Sequence, residues 1–219
     1  MNGISLSPVR PRLDASSAPE ATMVDIAFTL AGGQLPADWR YPLCLLLSEK
    51  LPWWGEAERQ HGIVTLNHAG FEAARVLFSA RSRLLLRVPV RHQAELMRLS
   101  GQRLGGGERT LHLGTASARS IVAFDTLKSN LVLGAGADEN AFIASVRQSL
   151  QEMRVQADII CGSARSIASA DQILRGYALT VHHLAPTHSL QLQHCGMGGQ
   201  RALGCGVFYP AKSIQLGPA

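Results

Sequence analysis

Between Val24 and Leu30 the chain alternates, with Val24, Ile26, Phe28 and Leu30 on one parity and Asp25, Ala27 and Thr29 on the other. A period of two is that of a strand with one buried face. After Ala31-Gly32-Gly33 and Leu35-Pro36-Ala37-Asp38, the segment from Tyr41 to Leu51 is apolar almost throughout. This predicts a helix with Asp38 as its cap, Pro42 in its first turn and Pro52 limiting its end. His61 to Leu66 is a short β-type run. Further on, Leu84, Leu86, Val88 and Val90 share one parity while Arg81, Arg83, Arg87 and Arg91 share the other. That predicts a strand with one buried and one basic face. Residues 92–99 read as a short helix closed by Gly101, and Arg109 to Leu113 as another strand. The order is strand, helix, strand, strand, helix, strand.

A second round begins near residue 120. Ser120 to Phe124 and Leu131 to Leu133 are β-like, and Asp138 caps a helix whose Phe142, Ile143, Val146, Leu150 and Met153 follow helical spacing. Ala157 to Cys161 and Gly176 to Leu184 suit a hairpin whose polar connection carries Arg165 and Arg175. His188 to His194 supply a last short helix, and a glycine-rich loop leads into a final strand at Gly206 to Tyr209. Two βαββαβ units predict an α+β, tandem ferredoxin-like (RRM-like) fold, which does not by itself settle function. The expected divisions are a disordered N-terminal extension over 1–22, one unit over 23–118 and a second over 119–219. Residues 1–22 hold three prolines and little apolar periodicity, which makes Met23 a candidate start.

Composition narrows the function classes. Apolar residues make up 46% of the 219 and charged residues 17%, enough apolar material for packed cores. No apolar stretch approaches the ~20 residues of a membrane-spanning helix, and no secretory core opens the chain, so a cytoplasmic protein is expected. Cys44, Cys161, Cys195 and Cys205 form no CxxC pair, which argues for reduced thiols over a disulfide framework or a zinc ribbon. Nor do His188, His194, Cys195 and Cys205 fit a zinc-ligand spacing, and no metal or cofactor is expected. Lys and Arg total 21 against 16 for Asp and Glu, and 18 of the 21 are arginine, the side chain suited to forked phosphate contacts.

The segment Gly196-Met197-Gly198-Gly199-Gln200-Arg201-Ala202-Leu203-Gly204-Cys205-Gly206-Val207-Phe208 carries the most specific signal. It lacks the Lys-Ser/Thr of a phosphate-binding P-loop and the position of a dinucleotide fingerprint. It resembles the C-terminal glycine-rich loop of the repeat-associated RNA-binding superfamily, most closely the CRISPR pre-crRNA-processing endoribonucleases with their GxGGxRxxGCGVF-like string. Leu35-Pro36-Ala37-Asp38, Ser82-Arg83-Leu84 and Gly176-Tyr177-Ala178-Leu179 look like further pieces of that family, and the likeness spans residues 23–214.

The resemblance implies metal-independent cleavage of a CRISPR repeat, commonly at the base of a hairpin. The substrate's own 2′-OH attacks the adjacent phosphate, so the protein must align groups, accept a proton and stabilise charge. Relatives commonly carry a histidine beside the first helix in an ADH-like string, but here Trp39 stands in that place. Three readings stay open. His61 or His68 supplies the base; Arg40 with other arginines positions the 2′-OH without an orthodox base; or the protein chiefly holds a hairpin. RNA contacts are expected from Arg81, Arg83, Arg87, Lys128, Arg165, Arg175, Arg201, Lys212 and the loop glycines Gly196, Gly198, Gly199, Gly204 and Gly206. Trp39, Trp53 and Trp54 are expected in the core or at an interface, and His182 and His183 on opposite strand faces. The expected partner is crRNA, with retention on its 3′ stem-loop beside other effector-complex subunits as a further implication. The alternatives are a catalytically silent hairpin-binding subunit and a ferredoxin-like small-molecule or assembly protein.

Overall fold

The structure, a computed structural model, describes residues 22–55, 60–134, 138–170 and 172–211. The expected N-terminal extension, Thr22 apart, and Lys212 lie outside the described residues.

The first sheet follows from the alternation at the start of the chain. β1 (Met23–Gln34) buries Ile26 and Phe28 completely, and α1 (Arg40–Lys50) lays Leu43 and Leu47 against them. β2 (Gly62–Asn67), a short hairpin of β3 (Gly70–Glu72) and β4 (Arg75–Leu77), and β5 (Arg83–Pro89) follow. Then come α2 (Gln93–Met97), β6 (Arg103–Gly106) and β7 (Arg109–Ser120). The sheet runs β2-β5-β1-β7-β6, antiparallel throughout. With β6 set aside, the strands of the βαββαβ unit lie in the order second, third, first, fourth, the ferredoxin-like arrangement.

The second unit repeats it. β8 (Leu127–Leu133), α3 (Glu139–Glu152), β9 (Asp158–Ser169), β10 (Gln172–His182), α4 (Pro186–Cys195) and β11 (Tyr209–Pro210) form the sheet β11-β8-β10-β9. The same second, third, first, fourth order recurs in mirror listing, so the tandem architecture expected from the periodicity is present. No helix among the described residues is long and apolar enough to cross a membrane.

Several local expectations give way to tertiary hydrogen bonding. The strand placed at Ser120 to Phe124 begins instead at Leu127, while β7 runs on to Ser120. The segment between them is held by side chains of α4: Phe124 N donates to Ser189 Oγ at 2.9 Å, and Gln193 Nε2 donates to Val122 O at 2.8 Å. Asp138 caps α3 as expected, accepting from Ala141 N at 2.7 Å. Asp38 does not cap α1. Its Oδ2 accepts from Ala168 N of β9 at 2.9 Å, tying the approach to α1 to the second unit. The polar connection expected to carry Arg165 and Arg175 is strand: β9 and β10 pair over ten positions, with Arg165 opposite Gly176 and Arg175 opposite Ser166. Directly opposed residues share a face, so the two arginines project to opposite sides of the sheet.

The units share apolar material. Leu131, Ile167, Leu203 and Cys205 of the second unit belong to the core built by β1, α1 and β5. Beside that seam lies Arg87, expected on a basic RNA-facing surface but fully buried. Its Nε and Nη2 donate to Asp25 Oδ1 and Oδ2 at 2.7 and 2.9 Å, and its Nη1 donates to Gln193 O at 2.9 Å and Phe208 O at 2.7 Å. Arg87, expected among the RNA contacts, is buried here and joins the two units. Its parity signalled an exposed stripe because a strand face turned toward another unit is buried for reasons that lie elsewhere in the chain. Removing one partner of a buried pair costs ~3–5 kcal/mol. Arg87→Met is expected to lower the unfolding free energy by about 3 kcal/mol, read from the urea midpoint; an unchanged midpoint would remove the clamp from this account.

Candidate functional site

The glycine-rich loop is largely a structural device. It leaves α4 at Gly196, turns through a short 3-10 segment at Arg201–Leu203 and closes on itself, with Met197 N donating to Gly206 O at 3.0 Å. Gly206 N donates to Leu131 O at 2.7 Å, which pins the loop to β8. Gly204 has φ +81°, and a Cβ there would lie 2.5 Å from Arg40 Nη1 and 2.9 Å from Ile63 O. Glycine is required because the Arg40 guanidinium packs on that backbone and donates to Leu203 O at 3.0 Å. Arg201 is buried, its Nη1 donating to the carbonyls of His194 and Cys195 at the end of α4. Burial, then the neighbouring Arg87 charge, brings its pKa down to about 10, still charged at neutral pH. Of the loop glycines, Gly198 and Gly199 are exposed.

Two clefts flank α1. One, of about 550 Å³, lies between α1 and the loop and is lined by Tyr41, Cys44, Ser48, Gly198, Gly199 and Arg201 among others. The other, of about 350 Å³, lies where the units meet and contains Trp39 and Arg40 from the start of α1, Thr65 and Leu66 of β2, and His68 just after it. Asn130 and Leu131 of β8 and Arg165, Ser166 and Ile167 of β9 complete it. No carboxylate among the described residues lines this second cleft. Arg40 sits 4.8 Å from the centroid of the Trp39 ring, a cation–π contact that, with Leu203 O, fixes its guanidinium. Burial lowers its pKa, opposed by Cys205, Tyr209 and Asp38. His68 is half-buried, and its Nδ1 has no hydrogen-bond partner among the described residues. Next to the cleft, Tyr209 Oη donates to Asn130 Oδ1 at 2.8 Å, and burial raises its pKa. This arrangement can grip an anion with two guanidiniums beside an imidazole.

The family model for Cas6 CRISPR proteins matches residues 24–213. The CRISPR-associated endonuclease Cas6 of Myxococcus xanthus (strain DK1622) is 34% identical over 188 residues, covering 85% of this chain and 81% of that protein. The chain belongs to the Cas6 family. Among solved structures, one described as an RAMP protein binding different RNA substrates superposes with a TM-score of 0.61 at 9% identity, over 85% of this chain and 98% of that one. A Cas6-related protein from Pyrococcus furiosus gives 0.56 at 9% identity, over 87% and 98%. At these identities the likeness is one of fold.

Against this Cas6 frame, the expected residues separate by burial. His61 is 1% exposed, its Nε2 bonded to Trp54 O and its ring packed between Trp53 and Trp54 at 5.2 and 4.6 Å. It belongs to the core and lines neither cleft. Trp53 and Trp54 are buried with it, as expected. Arg201, Gly196, Gly204 and Gly206, expected to contact RNA, are buried and shape the loop, as Arg87 is buried between the units. Arg40, His68 and Arg165 come together in the inter-unit cleft. Arg81 and Arg175 are exposed outside it, and Arg83 donates to Ala80 O and Ser82 O. Lys128 stands 5.3 Å from the centroid of the Tyr209 ring. Trp39, 8% exposed, lines the cleft without offering a proton acceptor.

Thr65, Asn130, Ser166 and Tyr209 were not singled out by sequence reasoning. They are ordinary polar residues whose convergence depends on the pairing of strands from both units. His182 and His183 were expected on opposite faces, but His183 takes φ +58° and the two rings lie 4.6 Å apart. With Asp158 they present donor atoms within 4.8 Å of one another, and His183 Nδ1 pairs with Asp158 Oδ2 at 2.8 Å. None of the three lines either cleft.

The loop geometry separates two glycines that look alike in the sequence. Gly204→Ala is expected to destabilise by about 2 kcal/mol and to displace Arg40, since strained left-handed backbone and overpacking each cost on the order of 1–3 kcal/mol. Gly199→Ala meets open space and should shift stability by no more than ~0.5 kcal/mol. Urea unfolding of both variants checks the contrast, and equal losses would contradict it.

Proposed function

We propose that this Cas6 protein is a metal-independent endoribonuclease that matures crRNA by cutting the CRISPR repeat in the inter-unit cleft, in the cytoplasm where the transcript is made. The observation that carries the reading is the meeting of the His68 imidazole and the guanidiniums of Arg40 and Arg165 in one cleft. His68 accepts the proton of the 2′-OH as that oxygen attacks the adjacent phosphorus. Arg40 and Arg165 hold the phosphate's non-bridging oxygens as negative charge accumulates. The 5′-oxygen leaves and takes a proton, giving a 2′,3′-cyclic phosphate and a 5′-hydroxyl end. Thr65, Asn130 and Ser166 are the polar groups available to orient the ribose. Arg40 is a poor base because it stays protonated, but its fixed guanidinium needs little reorganisation as charge develops.

RNA outside the cleft is held by the exposed Arg81, Arg175, Gly198 and Gly199 and by the half-buried Arg83 at the start of β5 and Lys128 on β8. A stem can be held by its phosphates and shape, because its deep major groove is hard for side chains to read. Retention on the product stem-loop beside other effector subunits is compatible with this surface. Trp39 favours one second reading, in which the protein binds the hairpin and cuts weakly or not at all.

Incubation with labelled cognate repeat in EDTA separates these readings. Cutting that a single 2′-deoxy substitution at the cleavage site abolishes supports the nuclease, whereas tight binding without cutting supports the silent subunit. Single-turnover rates should fall by about 10²-fold or more for His68→Ala and by about 10²–10³-fold for Arg40→Ala. His61→Ala is expected to lower the urea midpoint, leaving the rate of the remaining folded protein near that of wild type. Full activity of both His68→Ala and Arg40→Ala would move the site elsewhere.

A further inference from the structure

Phe71 is an exposed aromatic residue beside the cleft, 54% accessible, with its ring centroid 4.4 Å from that of His68. Single exposed apolar residues are commonplace on proteins, so exposure alone means little. The setting of this one is more specific. β3 and β4 turn through Ala73 and Ala74, both at positive φ, and Phe71 pairs with Val76, which is buried in the first core. Val76 N donates to Leu35 O at 2.9 Å and Ala37 N to Ala74 O at 2.8 Å, so the hairpin is bonded to the segment that leads into Trp39 and Arg40. Ala69 N donates to Leu77 O at 2.8 Å, closing the hairpin next to His68. On the other side, Arg83 lies opposite Asn67 in the β2–β5 register. A solvent-facing ring is thus carried on the same hydrogen-bonded frame as Arg40, with an imidazole at one edge and arginines nearby.

We propose that Phe71 is a stacking platform for an unpaired nucleobase adjoining the cleaved phosphate. The proposal rests on the placement of the cleaved phosphate in the Arg40–His68–Arg165 cleft. Every base presents a π-face, and an aromatic ring fixed in advance binds one with little ordering cost. Holding that base beside His68 would set the position of the neighbouring ribose, which makes Phe71 a positioning residue. Neither Lys128 nor the glycine loop offers such a surface, and Trp39 is buried in the core.

The test uses the full chain and the host's repeat RNA made uncleavable by a 2′-deoxy at the cut site, with 2-aminopurine placed in turn at each nucleotide flanking that site. Wild type is expected to quench the fluorophore at one flanking position. Phe71→Ala and Phe71→Leu should lose that quenching and bind the repeat about tenfold more weakly, while Phe71→Trp retains both. Circular dichroism melts of all three should match wild type, since the ring is mostly exposed. Equal quenching by wild type, Ala and Leu variants, or none by wild type on bound RNA, overturns the proposal. Cleavage of the all-ribose repeat by wild type, His68→Ala and Arg40→Ala is scored separately: wild-type cutting that both variants leave intact sinks the cleft reading even if Phe71 stacks.

Discussion

The bidentate pair between Arg87 and Asp25 is the constraint around which the two units are arranged. It lies across β1 and β5, which are also the central strands of the first sheet, and its remaining donors reach Gln193 and Phe208 of the second unit. A buried guanidinium is tolerable only when its N–H groups have acceptors, and here the acceptors come from both units. The end of α4 and the residues after the glycine loop are therefore held at one distance from the first sheet. Leu203 and Cys205 enter the first core from that loop, and Arg40 packs on Gly204. The inter-unit cleft is the space left between surfaces fixed in this way.

Much of the fold was legible because its main signals are local. Alternation along Val24 to Leu30 and helical spacing from Phe142 to Leu150 report directly which side is buried, and the repeat of six elements follows. The failures share one cause, which is that hydrogen bonds and burial supplied by distant segments leave no periodic trace. Asp38 has the chemistry of a helix cap but spends its carboxylate on β9. β9 was expected only as far as Cys161, and its remainder was read as connection because most of those residues are exposed on both faces, erasing the alternation that marks a half-buried strand.

The site was legible in part for the same reason. The glycine string identified the family, yet its buried members turn out to serve packing, and Arg201 caps a helix end from within the protein. His61 and His68 were equivalent candidates in sequence, seven residues apart on either side of β2. One is enclosed by Trp53 and Trp54, while the other projects past the strand end into the cleft. Both ends of β2 meet the second unit, Gly62 packing on Arg201 and Val207, so the difference follows from the two tryptophans that enclose only one of the histidines.

The seating of the glycine loop also bears on how the chain is made. Synthesis proceeds from the N-terminus, so the first sheet leaves the ribosome before Leu203, Cys205 and the carbonyl of Phe208 exist. Until then its core is open on one side and Arg87 lacks acceptors that lie more than a hundred positions downstream. Domains commonly complete folding in order as they emerge. Here Arg87 and one side of the first core are completed only by residues 193–208, which couples the folding of the two βαββαβ units.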